Sequence, residues 1–384
     1  MLDFSFTPEQ EEFKKRFRQF AQRELLPKYS YWDQHEEYPR EQILKLGKEG
    51  FIGIHLPQKY GGLGADNVTQ GIAMEEVGRG DFSCGYPVIL SELMGGMINN
   101  YGSEEQKDEW LPSICRGERV ITLALTEPHC GSDAAALRTT ALRQGEEYVL
   151  NGRKAAIDLY ISDAVIVWAK TQPELGTRGV SCFLVPGDTP GFVRTPLRTM
   201  GCKGARIGNI AIDNVRLPAS ARIGEENKGF YYIMDAFDCS RVLIALWCLG
   251  TAQAALDDAI KYARNRTAFG KPLAKFEGIS FPLVENYTLL EAARLLCYRA
   301  LWLRDQGLPH TREAAMCKLW ATKLSVDVIH HSVLVHGHYG YTDETPQEQR
   351  LRDVIGFESG DGSIETMKLI VVRELIGKEY LPYS

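Results

Sequence analysis

The hydrophobic positions along the chain change their period twice. From Thr7 to about Arg119 the apolar residues recur at helical spacing, beginning with Thr7-Pro8-Glu9-Gln10, a capping box with proline at the first helical position. From about Phe230 onward the same period returns in long stretches, broken clearly at Gly307-Leu308-Pro309. Both ends of the chain are therefore predicted to be helical, and the second is predicted to be an antiparallel bundle.

The middle of the chain has a different pattern. Between Val120 and Gly229, short β-branched stretches alternate with Gly, Pro, Asn and Asp, which predicts a compact β domain. The dipeptide Asn151-Gly152 is interpreted as a hairpin turn of this domain. The predicted strands are 120–125, 148–150, 164–169, 180–185 and 207–212. The fold class is therefore α+β, with an N-terminal helical domain at 1–119, a middle β-barrel or sandwich domain at 120–229 and a C-terminal helical bundle at 230–384.

Composition narrows the class of protein. The 384 residues include 44 basic and 50 acidic side chains that are well interspersed, so there is no basic stripe for a nucleic-acid backbone. No apolar run approaches the roughly 20 residues that span a bilayer, and the N-terminus lacks a basic targeting pattern. The nine cysteines form no CxxC pair, which favours reduced thiols. We expect a cytoplasmic protein with neither a nucleic-acid nor a membrane partner.

The segment Gly360-Asp361-Gly362 holds the first candidate for chemistry. It places a carboxylate between two glycines, directly before a helix-forming run. A loop of this kind can aim a general base into a pocket because little backbone covers it. An isolated Asp-Gly is more often an ordinary turn, so the interpretation depends on companion motifs.

Three such motifs follow one another along the chain: Leu125-Thr126-Glu127-Pro128-His129-Cys130-Gly131-Ser132-Asp133, Phe237-Asp238-Cys239-Ser240-Arg241 and Arg264-Asn265-Arg266-Thr267-Ala268-Phe269-Gly270-Lys271-Pro272-Leu273. With these motifs in a helical–β–helical order, the chain resembles the acyl-CoA dehydrogenase family across essentially its whole length. Each motif also has an ordinary structural interpretation, respectively a Pro-Gly turn, a helix ion pair and a basic helix end.

The resemblance implies FAD as the cofactor. The end of the first predicted strand and the hydroxyls of Thr126 and Ser132 would meet the flavin. Arg266 would meet its pyrophosphate across a subunit interface, since a guanidinium suits paired phosphate oxygens. The residues implied in FAD binding are Leu123, Leu125, Thr126, Ser132, Ala156, Asp158, Arg266, Phe269, Glu277, Leu334, His338, Ser363 and Glu365.

The resemblance also implies a reaction. Counting back without a gap from Arg373-Glu374-Leu375-Ile376-Gly377, Asp361 falls on the family's catalytic carboxylate. It would remove the α-proton of an acyl-CoA while the β-hydrogen leaves to the flavin as hydride, and electrons would pass to an electron-transferring flavoprotein. A homotetramer or dimer is expected. The residues implied in substrate binding are Ser132, Asp238, Arg241, Gly362 and Arg373.

The chain departs from the family pattern around the implied redox centre. Asp361 replaces the usual Glu and is shorter by one C–C bond, about 1.5 Å. Ala156 and Asp158 stand where the family usually has Trp and Thr. Further departures are Glu277, Leu334, His338 and Glu365. Together they favour a cyclic, branched or polar acyl group.

Other functions remain open at this point. A nitroalkane-oxidase-like flavin oxidase, a dehydrogenase of carrier-protein-bound acyl groups and a redox-silent binding or assembly protein are the alternatives. The histidines of the C-terminal region fit no metal-ligand spacing, so no metal is expected. No GxGxxG motif supports a nicotinamide cofactor. The histidines considered are His330, His331, His336 and His338.

Overall fold

The fold, described by a computed structural model for residues 4–382, consists of helices at both ends and a β-sheet in the middle. The outermost limits of the predicted terminal domains, residues 1 and 384, lie outside this range. The N-terminal helices are α1 (Pro8–Phe20), α2 (Tyr29–His35), α3 (Arg40–Lys48), α4 (Asn67–Gly80), α5 (Gly85–Tyr101) and α6 (Glu104–Cys115). The C-terminal helices are α7 (Gly229–Asn265), α8 (Glu277–Asp305), α9 (Thr311–His336), α10 (Gln347–Ile355) and α11 (Ile364–Leu375).

The predicted capping box is confirmed at the start of α1. The Thr7 hydroxyl accepts from the Gln10 amide at 3.2 Å, and the Gln10 side chain accepts from the Thr7 amide at 3.0 Å. Two of the amides that a helix start leaves unpaired are thereby satisfied. The buried face of α1 stacks Phe17 on Phe51, with ring centroids 4.2 Å apart, which fixes α1 over the loop after α3.

The middle of the chain forms one eight-stranded mixed sheet, in the order β6-β7-β3-β2-β4-β5-β8 with β1 paired parallel to β4. Its strands are β1 (Ile121–Ala124), β2 (Thr140–Gln144), β3 (Glu147–Ile157), β4 (Ala164–Lys170), β5 (Val180–Pro186), β6 (Phe192–Pro196), β7 (Gly208–Pro218) and β8 (Arg222–Ile223). A two-stranded hairpin, β9 (Thr267–Ala268) and β10 (Lys271–Pro272), follows α7.

The sheet is buried on both faces where it meets the helices. Along β4, Val165 and Val167 belong to a core enclosed by the sheet, whereas Ile166 and Trp168 belong to the large core shared with the helices. The Trp168 indole donates to the Gly229 carbonyl at 2.7 Å, which ties the sheet to the first residue of α7. This explains why β4 is a continuous apolar run rather than an alternating one.

The predicted hairpin at Asn151-Gly152 is wrong. Both residues lie inside β3, at a shift in its register with β7, and the reverse turn is two residues long at Gly145 and Glu146. Gly152 is required for another reason, since a Cβ there would lie 2.3 Å from the Thr139 hydroxyl. Glycine marks a close approach of two chain segments here, which a sequence pattern does not distinguish from a turn.

The strands β2, β6 and β8 were not anticipated. They are short, and each lies next to Gly- or Pro-containing segments that suppress a strand signal. The helical predictions at the C-terminal end are confirmed, with the break at 307–309 lying between α8 and α9.

Among residues 4–382, one helix is long and apolar enough to cross a membrane by length and composition. It is α7, and the apolar part of this helix is wholly buried within the fold. A core helix of this kind packs against α4 and α9 and gives the bundle its central axis.

Candidate active site

The Asp361 loop is held in place by a buried lysine. Lys318, in the middle of α9, donates hydrogen bonds to the carbonyls of Phe357, Gly360 and Gly362 at 2.6, 2.9 and 3.1 Å. These three bonds use all the donors of its ammonium group. The loop on either side of Asp361 is therefore fixed by its main chain, and the carboxylate is left free.

The backbone conformation of this loop requires residues that tolerate a positive φ. Asp361 has φ +50° and Gly362 has φ +91°, both in the left-handed region. Aspartate tolerates this region better than most residues, and glycine adopts it without cost. A Cβ at Gly362 would also lie 2.8 Å from the Met367 methyl group. The loop ends at Ser363, whose hydroxyl caps α11 by accepting from the Thr366 amide at 3.2 Å.

The Asp361 carboxylate is exposed to solvent but lies in a recess among protein atoms. Its side chain remains accessible, yet burial among protein atoms raises its pKa, while the charge of Lys318 acts in the opposite direction. Burial lowers the pKa of Lys318, and the Asp361 charge opposes that shift. A carboxylate that is partly desolvated but kept ionisable by a nearby cation has the properties of a general base.

Asp158 approaches this recess from the β domain. It follows β3, and its carbonyl accepts from the Thr122 hydroxyl of β1 at 2.6 Å. The pairing of β3 with β7 is irregular between Lys154 and Ile157, and Ala156 has φ +54°. Irregularities of this type redirect side chains at the edges of functional sites. Burial and the charge of Asp361 raise the pKa of Asp158, so the two carboxyls are electrostatic neighbours.

The residues predicted around a flavin ring come together at this edge. The Ala155 amide donates to the Thr126 carbonyl at 3.0 Å, which joins the end of β1 to the end of β3. In residues 4–382, the hydroxyls of Thr126 and Ser132 have no hydrogen-bond partner. The predicted residues that share this edge are Leu123, Leu125, Thr126, Ala156 and Asp158.

A buried ion pair fixes the loop between Thr126 and Ser132. Lys154 donates to Glu127 at 2.8 Å and to the Leu125 and Trp168 carbonyls at 3.1 and 2.8 Å. Glu127 also accepts from the Thr139 hydroxyl at 2.6 Å. Glu127, His129 and Cys130 lie close enough to hold a metal ion, but the oxygens of Glu127 are already used by these donors. We interpret this cluster as structural.

Two arginines, Arg241 and Arg373, lie in the neighbourhood of Lys318. Arg241 pairs with Asp238 within one turn of α7, and Asp238 also accepts from the Thr311 hydroxyl at 2.7 Å. Burial lowers the pKa of Arg241, Asp238 opposes this, and the charge of Arg373 adds to the lowering, which places Arg373 close by. The charge of Arg241 also acts on Lys318, so the predicted substrate residues Asp238, Arg241 and Arg373 lie on the side of the bundle where Lys318 holds Gly362.

A second group of predicted FAD residues lies away from this recess. Arg266 ends α7 without an ion pair in the described part of the chain, and Phe269 in the β9–β10 hairpin is 95% exposed. Tyr262 of α7 contacts the ring of His336, which brings the end of α7 beside the end of α9. The members of this group are Arg266, Phe269, Glu277, Leu334 and His338. The contact of this group with a second subunit stays a prediction.

Glu365 and Ser363 have local partners. Glu365 is exposed and pairs with Lys368 at 2.9 Å, and the Ser363 hydroxyl is used as a helix cap. Glu92 of α5, another buried carboxylate, has both oxygens engaged by the amides of Ile54 and His55 at 2.6 and 3.0 Å. Glu92 therefore has a structural role.

Neither Lys318 nor the role of Lys154 was anticipated from the sequence. Lys318 was detectable, because it is the one charged residue in the apolar stretch Ala314-Ala315-Met316-Cys317-Lys318-Leu319-Trp320-Ala321. A lysine at a core position of a helix must find acceptors. Which acceptors it finds depends on the tertiary contact between α9 and the loop before α11.

Comparison with known proteins agrees with this geometry. The models for the acyl-CoA dehydrogenase N-terminal, middle and C-terminal domains match residues 7–118, 122–215 and 227–376. The chain belongs to the acyl-CoA dehydrogenase family. It is an oxidoreductase that acts on the CH–CH group of acyl-CoA, in a family of flavoproteins, and the predicted three-part fold is confirmed.

Individual relatives cover almost the whole chain. The 3-(aryl)acrylate reductase of Clostridium sporogenes is 38% identical over 97% of this chain and 99% of its own length. The butyryl-CoA dehydrogenase of Megasphaera elsdenii superimposes with a TM-score of 0.94 at 32% identity, covering 98% and 100% of the two chains. A chain from a structure of the electron transferring flavoprotein of Acidaminococcus fermentans superimposes with a TM-score of 0.95 at 33% identity, covering 98% of this chain and 100% of that chain.

Proposed function

We propose that the protein carries out FAD-dependent α,β-dehydrogenation of an acyl-CoA thioester, with Asp361 as the base. The observation that carries this proposal is the free, partly desolvated Asp361 carboxylate on a loop fixed by Lys318. Asp361 takes the proton from the α-carbon. Burial makes it a stronger base than an ordinary aspartate, and the Lys318 charge keeps its ionised form accessible.

The residues at the edge of the β domain fit FAD. Thr126 and Ser132 offer free hydroxyls to a ring whose edge carries donors and acceptors, and Arg266 offers a free guanidinium to a pyrophosphate. When bound, FAD accepts the β-hydrogen of the acyl group together with its electron pair. Arg241 and Arg373 supply positive charge on the substrate side of Asp361.

We propose a cyclic, branched or polar acyl group for this chain. Asp361 reaches about 1.5 Å less far than a glutamate would. Ala156 leaves space where a tryptophan is usual in the family. A ring or an α-branch fills more of that space and limits the conformers, which brings the α-carbon toward the base.

The proposed assembly is a homotetramer or dimer in the cytoplasm, with domains at 1–119, 120–229 and 230–384. Exposed Phe269 and Leu334 at one end of the bundle support contact with a second copy. We propose an electron-transferring flavoprotein as the electron acceptor. The similarity to a chain from such a structure supports this choice.

A second candidate is the reverse reaction, reduction of an enoyl thioester. The raised pKa of Asp361, caused by burial, favours a protonated carboxyl that can deliver a proton to the α-carbon. Similarity to the 3-(aryl)acrylate reductase supports this direction. Two rates separate dehydrogenation from reduction. One is the rate at which enoyl thioesters reoxidise the reduced protein, and the other is the rate at which saturated thioesters reduce the oxidised protein.

Anaerobic stopped-flow absorbance tests the leading proposal. The purified protein should be yellow, and matched cyclic or branched acyl-CoAs should bleach it faster than straight-chain ones. Asp361→Asn should keep flavin and ligand binding but slow bleaching by about 10²-fold or more, because the base is lost. Asp188→Asn, at an exposed position in the β domain outside the site, is the matched control and should bleach at the parent rate. A colourless protein, or undiminished bleaching in Asp361→Asn, contradicts the proposal.

A further inference from the structure

A small cleft lies between α4, α5, α7 and α8, with a volume of about 70 Å³. From α7 it is lined by Cys239 and Leu243. A helix turns by about 100° per residue, so Arg241, midway between these two positions, faces the opposite side of α7. The cleft is therefore separate from the side of α7 that carries this predicted substrate residue.

The end of α8 is docked on the start of α4 at this cleft. The Asp305 carboxylate accepts from the Asn67 and Val68 amides at 2.9 and 3.3 Å. Arg304, which precedes Asp305, and Gln70, one turn into α4, both line the cleft. The hydrogen bonds of Asp305 therefore hold the segments that carry these two side chains against one cavity.

Two buried side chains line the cleft with donors that lack an acceptor. Gln70 is only 3% exposed, and its side-chain oxygen accepts from the Cys239 thiol at 3.9 Å. Among residues 4–382, the NH₂ group of the same side chain has no acceptor. The Tyr232 hydroxyl accepts from the Glu225 amide at 3.1 Å, and its own proton likewise has no acceptor in this range. Buried donors are normally paired, so these two favour a ligand that accepts hydrogen bonds.

The cleft also holds a cation without a counter-ion. Arg304 donates to Nε2 of His310 at 3.1 Å, and Nδ1 of His310 donates to the Leu308 carbonyl at 3.0 Å. With one ring nitrogen donating and the other accepting, His310 is neutral and does not balance the charge of the guanidinium. Arg304 has no ion pair within the described part of the chain. Its remaining N–H groups are available to an anion.

Two carboxylates line the same cleft, and they differ in availability. Both oxygens of Glu92 are engaged by the amides of Ile54 and His55. Asp235 is exposed at the outer edge of the cleft and has no ion pair with a described residue. The interior of the cleft therefore presents donors and positive charge, and the free negative charge lies at its edge.

We propose that this cleft binds a small carboxylate with a short apolar chain. The carboxylate pairs with Arg304, whose planar fork suits two oxygens, and accepts from Gln70 and Tyr232. A water occupies about 10–15 Å³ of such a space, so the cleft holds a ligand of about five or six non-hydrogen atoms. The inference goes beyond the proposed function and does not depend on it. The apolar wall for the chain consists of Leu93, Met97 and Leu243.

Butyrate binding to the purified holoprotein, followed by ligand-observed NMR, tests this proposal. Arg304→Gln should weaken the binding by about 10- to 100-fold, because a hydrogen-bonded charge pair is lost. Gln70→Met keeps a similar volume without the amide donors and should weaken it by about tenfold. Asp235→Asn should strengthen it by up to about fivefold, because a like charge is removed. Butyramide, which has the same shape without the charge, should bind more weakly than butyrate.

Arg241→Gln is the matched control, because Arg241 faces the opposite side of α7, and it should leave the butyrate affinity unchanged. If Arg304→Gln does not fold by circular dichroism, the opposite effects of Gln70→Met and Asp235→Asn decide. No binding to the parent, or equal affinity in the parent and a folded Arg304→Gln, overturns the proposal. Binding lost in Arg241→Gln alone places butyrate in the substrate recess and also overturns it. A failed acyl-CoA assay with butyrate binding intact refutes the proposed function and not this site.

Discussion

Two buried lysines fix the two loops of the site, and they do so differently. Lys154 in the β domain bonds to a carboxylate, Glu127, as well as to two carbonyls. Lys318 in the bundle bonds to three carbonyls and has no salt bridge in the described part of the chain. Glu127 neutralises the charge of Lys154, whereas the charge of Lys318 acts on Asp361. A buried ammonium can therefore serve only to hold a loop, or can hold it and also set the charge of its neighbour.

Removing the neutralised lysine should have the larger effect on stability. Lys154→Met leaves Glu127 buried with an uncompensated charge, so the free energy of unfolding should fall by about 3–5 kcal/mol. Chemical denaturation measures this. The double variant Lys154→Met with Glu127→Gln removes the stranded charge and should recover part of the loss. A double variant no more stable than the single one would show that charge pairing is not what Lys154 provides.

Removing the other lysine should affect the rate more than the stability. Lys318→Met leaves the buried Phe357 carbonyl without this donor, whereas Gly360 and Gly362 are only half-buried, so their carbonyls can bond to water. Since Asp361 is accessible to solvent, we expect a loss of about 1–3 kcal/mol. The rate of anaerobic flavin reduction should fall by about 10²-fold, because the Asp361 loop is no longer held in position. Lys323→Met, an exposed lysine on the same helix, should change neither quantity. Equal rate losses in the Lys154 and Lys318 variants would remove the distinction between the two lysines.

The contrast also shows what the sequence could and could not predict. The position of Asp361 follows from a local pattern, two glycines before a helix, together with a gapless count from the end of α11. The long helices could be predicted from the helical spacing of their apolar residues. The bulge at Gly152 was misinterpreted because the glycine is required by contact with Thr139, a residue on a neighbouring segment.

The protonation of the site depends on contacts between distant segments. Asp158, Lys318 and Asp361 come from three separate parts of the chain, and no spacing rule joins them. The sequence identified Asp158 as an unusual residue without deciding its charge. In the fold, burial raises the pKa of both carboxyls, and the charge of Lys318 opposes the shift at Asp361.

The most direct test of this account is the pH dependence of anaerobic flavin reduction in the parent, Lys318→Gln and Lys318→Met. Both substitutions remove the positive charge, while Gln retains some ability to donate to the loop carbonyls. The charge of Lys318 lowers the pKa of Asp361, so its removal raises that pKa and moves the acidic limb of the rate profile to higher pH. We expect the same direction of shift in both variants, with a smaller loss of maximal rate in Lys318→Gln. An acidic limb that stays at the parent position in both variants would contradict the claim that Lys318 sets the charge of the base.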